Sequence, residues 1–150
     1  MKVRLLTVGR VKQEGLRLAA AEYGRRLAAY TQFELVEVRD AKLADWQAGL
    51  GREAQDLLAQ VRPGDHLVLL DSGGTQFDSP GLARWLERHR ERPFVFLIGS
   101  SYGVAPTVRE RAESRWSLSA LTLPHELARV VVLEQLYRAA TILAGHPYHH

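Results

Sequence analysis

The sequence predicts an α/β fold, a mostly parallel sheet with helices on both faces. Strand-like and helix-like segments alternate almost without interruption along the chain. The runs Val68-Leu69-Leu70 and Phe94-Val95-Phe96-Leu97-Ile98 are continuously apolar rather than alternating, which is the pattern of strands covered on both sides. At 150 residues and 46% hydrophobic content, with no repeat, low-complexity tract or linker, the chain is expected to form one domain over residues 1–150.

Taken in order, Lys2 to Val8 and Phe33 to Val38 read as strands, separated by a helix from about Glu14 to Tyr30. A second helix, Trp46 to Val61, stops at the Pro63-Gly64-Asp65 turn, and His66 to Leu70 follows as a short buried strand. Ser79-Pro80 supplies an N-cap and first-turn pair for a helix to about His89. Phe94 to Ile98 is a further strand, Pro106 opens a short helix, and a last helix starts after Pro124 and runs to about Leu143. In that last helix Leu133, Leu136, Tyr137 and Ala140 make one stripe, yet Val130, Val131 and Val132 carry apolar surface round most of the remaining circumference. One sheet face cannot bury all of it, so a homodimer through this C-terminal helix is expected.

Composition narrows the function. The absence of cysteine excludes disulfides, thiolate catalysis and cysteine metal sites. No run approaches the roughly 18 apolar residues of a membrane span, and Met1-Lys2-Val3-Arg4 leads into a charged strand rather than a signal sequence. No membrane partner and a cytoplasmic location are therefore expected. Of the 20 basic residues 17 are arginine, which pairs phosphates bidentately and stacks on bases, so RNA is a candidate partner. Arg25-Arg26, Arg52 and the stretch from Arg84 to Arg92 also lie beside Glu22, Glu53, Glu87 and Glu91, as solvated helix faces do.

The chemistry concentrates in the last third. The strand ending at Ile98 runs into Gly99-Ser100-Ser101-Tyr102-Gly103, a glycine-bracketed loop at a strand end, where α/β proteins hold small ligands. Read literally this is G-x-S-x-G, the serine hydrolase elbow, with Ser101 as nucleophile and His146 or His149 downstream. Against that reading, the chain is short, Pro106 delays the helix that should start at the elbow, and only Gly73-Gly74 resembles an oxyanion cluster. Neither G-x-G-x-x-G nor a Walker lysine occurs. His146, His149 and His150 have loose ligand spacing but no acidic or cysteine companion, so no metal is expected. Trp46, Trp85 and Trp116 are expected as core or partner-facing anchors, and His125 as a loop-orienting residue.

The segments Leu69-Leu70-Asp71, Leu97-Ile98-Gly99, Trp116-Ser117-Leu118-Ser119-Ala120-Leu121-Thr122-Leu123-Pro124-His125, Arg129-Val130, Glu134-Gln135-Leu136-Tyr137-Arg138-Ala139 and His146-Pro147-Tyr148-His149 resemble the RlmH family of ribosomal large-subunit methyltransferases, within the SPOUT superfamily. The similarity runs from the Lys2 strand to the last residue. It implies a C-terminal deep trefoil knot, a homodimer, and S-adenosyl-L-methionine held by Leu70, Gly99, Leu118, Ser119, Ala120, Leu121, Thr122 and Leu123. The reaction it implies is N3-methylation of a pseudouridine in 23S ribosomal RNA, within the ribosome, with the RNA at the subunit interface. His149 is then the expected general base, Tyr148 a stacking or carbonyl-holding residue and Arg138 an anion partner. Three positions depart from the family pattern: Ser100 replaces a glycine, Tyr102 stands where an acidic or small polar residue is usual, and His150 ends the chain in place of a lysine or arginine. A Ser101 hydrolase and a non-catalytic RNA-binding dimer are the alternatives.

Overall fold

The computed structural model describes residues Met1–His150. Five parallel strands, β1 (Lys2–Val8), β2 (Gln32–Val38), β3 (His66–Thr75), β4 (Phe94–Ile98) and β5 (Ser114–Trp116), form one sheet in the order β2-β1-β4-β3-β5. Helices α1 (Glu14–Ala28), α2 (Trp46–Ala59), α3 (Ser79–His89), α4 (Pro106–Arg111) and α5 (His125–Ala144) connect and cover it.

Side-chain alternation in the strands builds two cores. Val3, Leu5, Phe94, Phe96 and Ile98 face α1, α3 and α5, and pack with Leu27, Leu86, Val132, Leu133 and Leu136. Leu6, Val8, Val95 and Leu97 face the other way, onto Leu50, Leu57 and Val108 of α2 and α4. The central strand β4 is buried throughout, which explains its unbroken apolar run. No helix is long and apolar enough to cross a membrane.

Several boundaries differ from expectation for local reasons. The turn after Ala28 tightens, with the Ala29 N–H donating to Arg26 O and Tyr30 N–H to Leu27 O, so α1 ends before Tyr30. The cap of α3 is Asp78, whose carboxylate accepts from the Gly81 N–H at 2.7 Å. Ser79, expected in that role, instead donates its hydroxyl to Gln135 at 2.6 Å and docks α3 on α5. Strand β3 continues past Leu70: residues 71–74 bulge out, and Thr75 rejoins the ladder opposite Trp116. Its partner β5 is only three residues long, too short for a periodic signature, and was not anticipated. Helix α5 closes at Gly145, whose φ of +71° suits the left-handed cap that reverses the chain.

Candidate functional site

A cleft of about 350 Å³ opens at the carboxyl ends of β3, β4 and β5. Its walls are Leu69 to Ser72 of β3, Gly99 to Ser101 with Gly103 and Val104 after β4, Leu118, Ser119 and Leu121 to Leu123 after β5, and His125 and Ala128 of α5. Of the eight expected cofactor residues, Leu70, Gly99, Leu118, Ser119, Leu121, Thr122 and Leu123 line this cleft, and Ala120 does not.

Local chemistry shapes each wall. A Cβ on Gly99 would lie 2.6 Å from Gly103 O and 2.7 Å from Val104 Cγ1, so only glycine lets the loop fold back on itself. Gly103 completes the turn at φ +87°, its N–H donating to Ser100 O at 2.9 Å. The opposite wall is held by Ser119, whose hydroxyl oxygen accepts from Leu121 N–H at 3.0 Å and whose carbonyl accepts from the Ser117 hydroxyl at 3.1 Å. Leu121 is left 75% exposed at the mouth, an apolar surface without a cover.

Asp71 is anchored at the cleft's edge by the Gly73 N–H and by Arg109 and Arg115 at 2.7 and 3.3 Å. Burial pushes its carboxyl up, but the Gly73 N–H and the two guanidiniums outweigh it and hold it below the usual range. Asp71 therefore stays an anion. Glu53 of α2 is 4% exposed and accepts from the Ala41 N–H at 3.2 Å, while its Oε1 has no partner. Burial raises the Glu53 carboxyl, reinforced by Asp40 and opposed by the Ala41 N–H and the Ser100 hydroxyl.

The chain's end forms a second cluster. Arg138, Tyr148 and His149 come together, centred on Glu134, a residue to which the sequence reading assigned no role. Glu134 Oε1 accepts from Arg138 Nε and Nη2 at 3.0 and 2.6 Å and from the Tyr148 hydroxyl at 3.0 Å. Its four-residue spacing from Arg138 was the available signal. The Arg138 guanidinium also lies 4.6 Å from the Tyr148 ring centre. Burial and the Glu134 contact push the Tyr148 phenol up to about 12, so it remains a donor at neutral pH.

Arg138 Nη1 meets His149 Nδ1 at 3.2 Å. A guanidinium can only donate, so the neutral imidazole accepts at Nδ1 and carries its proton on Nε2. None of Arg138, Tyr148 and His149 lines the cleft of the same chain. They lie alongside residues 134 to 138 of α5, roughly 14 to 20 Å from His125 along a helix rising 1.5 Å per residue.

Ser101 lacks the surroundings of a nucleophile. It is exposed, and Lys42 alone among non-glycine residues has a positive φ, so no strained elbow is present at Ser101. His146 is engaged with the Tyr30 hydroxyl at 2.7 Å and His149 with Arg138. Trp116 is 4% exposed in the core, whereas Trp46 is 49% exposed and stacks on Tyr102.

Comparison with known proteins agrees with this geometry. The chain is 65% identical over 150 residues to a ribosomal RNA large subunit methyltransferase H of Gloeobacter violaceus, covering 100% of this chain and 99% of that one. It is 44% identical over 153 residues to a protein of the same name from Gemmatimonas aurantiaca, covering 99% of each. In fold it matches a probable methyltransferase from Bordetella pertussis, with a TM-score of 0.55 at 17% identity over 93% of this chain and 94% of that one. A probable methylase family protein from Haemophilus influenzae gives 0.56 at 12% identity, over 99% and 70%. Residues 1–149 match the family described as predicted SPOUT methyltransferase, and with the full-length relatives this establishes that the chain belongs to the SPOUT methyltransferases, in the RlmH family.

Proposed function

We propose that this protein uses S-adenosyl-L-methionine to methylate N3 of a pseudouridine in 23S ribosomal RNA, as a cytoplasmic homodimer acting on the ribosome. The observation that carries the proposal is the cleft at the ends of β3, β4 and β5, a glycine-cradled backbone pocket at a parallel sheet's carboxyl edge. The residues present fit the donor. Leu70, Leu118 and Leu123 offer apolar faces for a flat nucleoside, and the close turn at Gly99 brings backbone groups within reach of its polar edge. The bound donor supplies an electrophilic methyl group on a sulfonium.

The protein's own tasks are alignment and proton removal. Alignment can contribute about 7–11 kcal/mol, a general base about 10²- to 10⁴-fold, so positioning dominates. Residues 118–123, threaded in the trefoil knot of this reading, would position the donor. The target base would be met by Arg138, Tyr148 and His149. Within one chain those three lie away from the cleft, and a two-fold partner crossing α5 would deliver them to it. Leu127 and Val131 support such a crossing, since neither packs into the cores and both keep exposed surface on one face of α5. His149 would accept the imide proton at Nδ1 once RNA draws Arg138 onto a phosphate or carbonyl.

Calorimetry with S-adenosyl-L-methionine, paired with methyl transfer to undermodified ribosomes, tests this reading. The wild type is expected to bind the donor saturably and transfer methyl groups. His149→Ala should reduce transfer about 100-fold or more with donor affinity nearly unchanged, and His149→Gln, which keeps a donor but no base, should not restore it. Wild-type protein that binds no donor would refute the proposal; parallel losses of affinity and rate would make His149 structural.

A further inference from the structure

Beside the cleft, at the carboxyl ends of β1 and β2, lies an open groove of about 520 Å³ lined by Arg10, Lys12, Arg39 and Lys42. His125 lines both the groove and the cleft, so the two are continuous along one edge of the sheet. All four cations are exposed, and none forms an ion pair, although arginines elsewhere, such as Arg4, Arg25, Arg92 and Arg129, are paired with carboxylates. Two acids, Asp40 and Glu126, also line the groove, and both are held by backbone N–H groups rather than by the cations. Glu126 accepts from the Lys12 and Gln13 N–H groups, and Asp40 accepts from the Lys42 N–H. Four cations against two carboxylates leave the groove net positive, with every cationic head group free of a direct ion pair.

The groove is also held rigid. Lys42 sits at φ +50°, an unfavourable backbone for a side-chain-bearing residue. The loop that imposes it is tied down by the Ala41 N–H to buried Glu53 and by the turn at Asp40. Just beyond, Trp46 and Tyr102 stack with ring centres 5.7 Å apart and planes 18° from parallel, while 49% and 67% exposed. Two large aromatic rings stacked in solvent, one of them four residues beyond Lys42, offer faces on which further rings can stack.

Resting on the methyltransferase reading, we propose that Arg10, Lys12, Arg39 and Lys42 bind the phosphates of the RNA strand next to the target, and that the Trp46–Tyr102 pair stacks one of its unpaired bases. Cations with exposed aromatic rings fit a single-stranded or looped RNA, whose charge lies on the backbone and whose bases are free to splay. The groove thereby selects strand and register, while the cleft selects the atom modified.

The test measures binding of undermodified ribosomes across a salt series, together with KM and kcat for methyl transfer. Each cation removed (Arg39→Ala, Lys12→Ala) should lower the magnitude of the salt slope by about 0.7–0.9 and raise KM. Lys42→Gly is the folding control: glycine accepts φ +50° without strain, so stability should hold or rise while the slope still falls. Trp46→Ala should weaken binding about 5- to 100-fold and Tyr102→Phe much less, because the ring is retained. Donor affinity should be unchanged in every variant. If the wild type methylates ribosomes but these variants keep its slope and KM, the groove proposal is overturned while the methyltransferase reading stands. If the wild type binds donor but has no salt-dependent affinity for ribosomes, the groove proposal fails as well.

Discussion

Glu53 shows how a single buried side chain shapes the site. It underlies the loop of the cationic groove, through Ala41, and one of its oxygens is unpaired. Its carboxyl is raised by burial, so the folded state holds the proton more tightly than the unfolded chain does. The contribution of Glu53 to stability is then greatest at acid pH and declines as pH rises from the ordinary glutamate range through the folded value. Glu53→Gln, neutral and nearly the same shape, should raise the melting temperature by a few degrees at pH 8 and match the wild type at pH 4. A melting curve no higher than wild type at pH 8 would show that the charge is tolerated.

Among the elements, α5 joins the regions of the molecule. Its first turn lines the cleft and the groove, and its later turns carry the Glu134 cluster with the tail. Arg129, 3% exposed, fastens it to the sheet by donating to Glu37 at 2.5 Å and to Gly9 O at 2.9 Å, the turn from which the groove begins. Arg129→Ala should destabilise the protein by about 1–3 kcal/mol, a loss moderated because Glu37 can turn to water, and urea unfolding would measure it. A change below about 0.5 kcal/mol would mean that the helix is seated by its apolar contacts alone. The helix itself was legible from its length and apolar residues. The tail's docking was not, because it depends on the reversal at Gly145 and on Glu134 accepting three donors at one oxygen.

For the whole molecule, the open question is what covers the exposed face of α5. If a second copy does, Val131→Arg should give a monomer by sedimentation, with methyl transfer reduced at least about 100-fold and the fold intact by circular dichroism. A fully active monomer would mean that the tail serves its own cleft. The alternation of strands and helices and the doubly buried β4 were readable from order along the chain, because burial periodicity and turns are properties of neighbouring residues; the seven residues that line the cleft came from the family resemblance instead. Pairing of β5 with β3, the orphaned oxygen of Glu53 and the convergence of four unpaired cations near two stacked rings were not readable in this way. Each arises where segments far apart in the chain are brought within a few ångströms, and at that range desolvation and hydrogen-bond geometry, rather than residue type, set what a group can do.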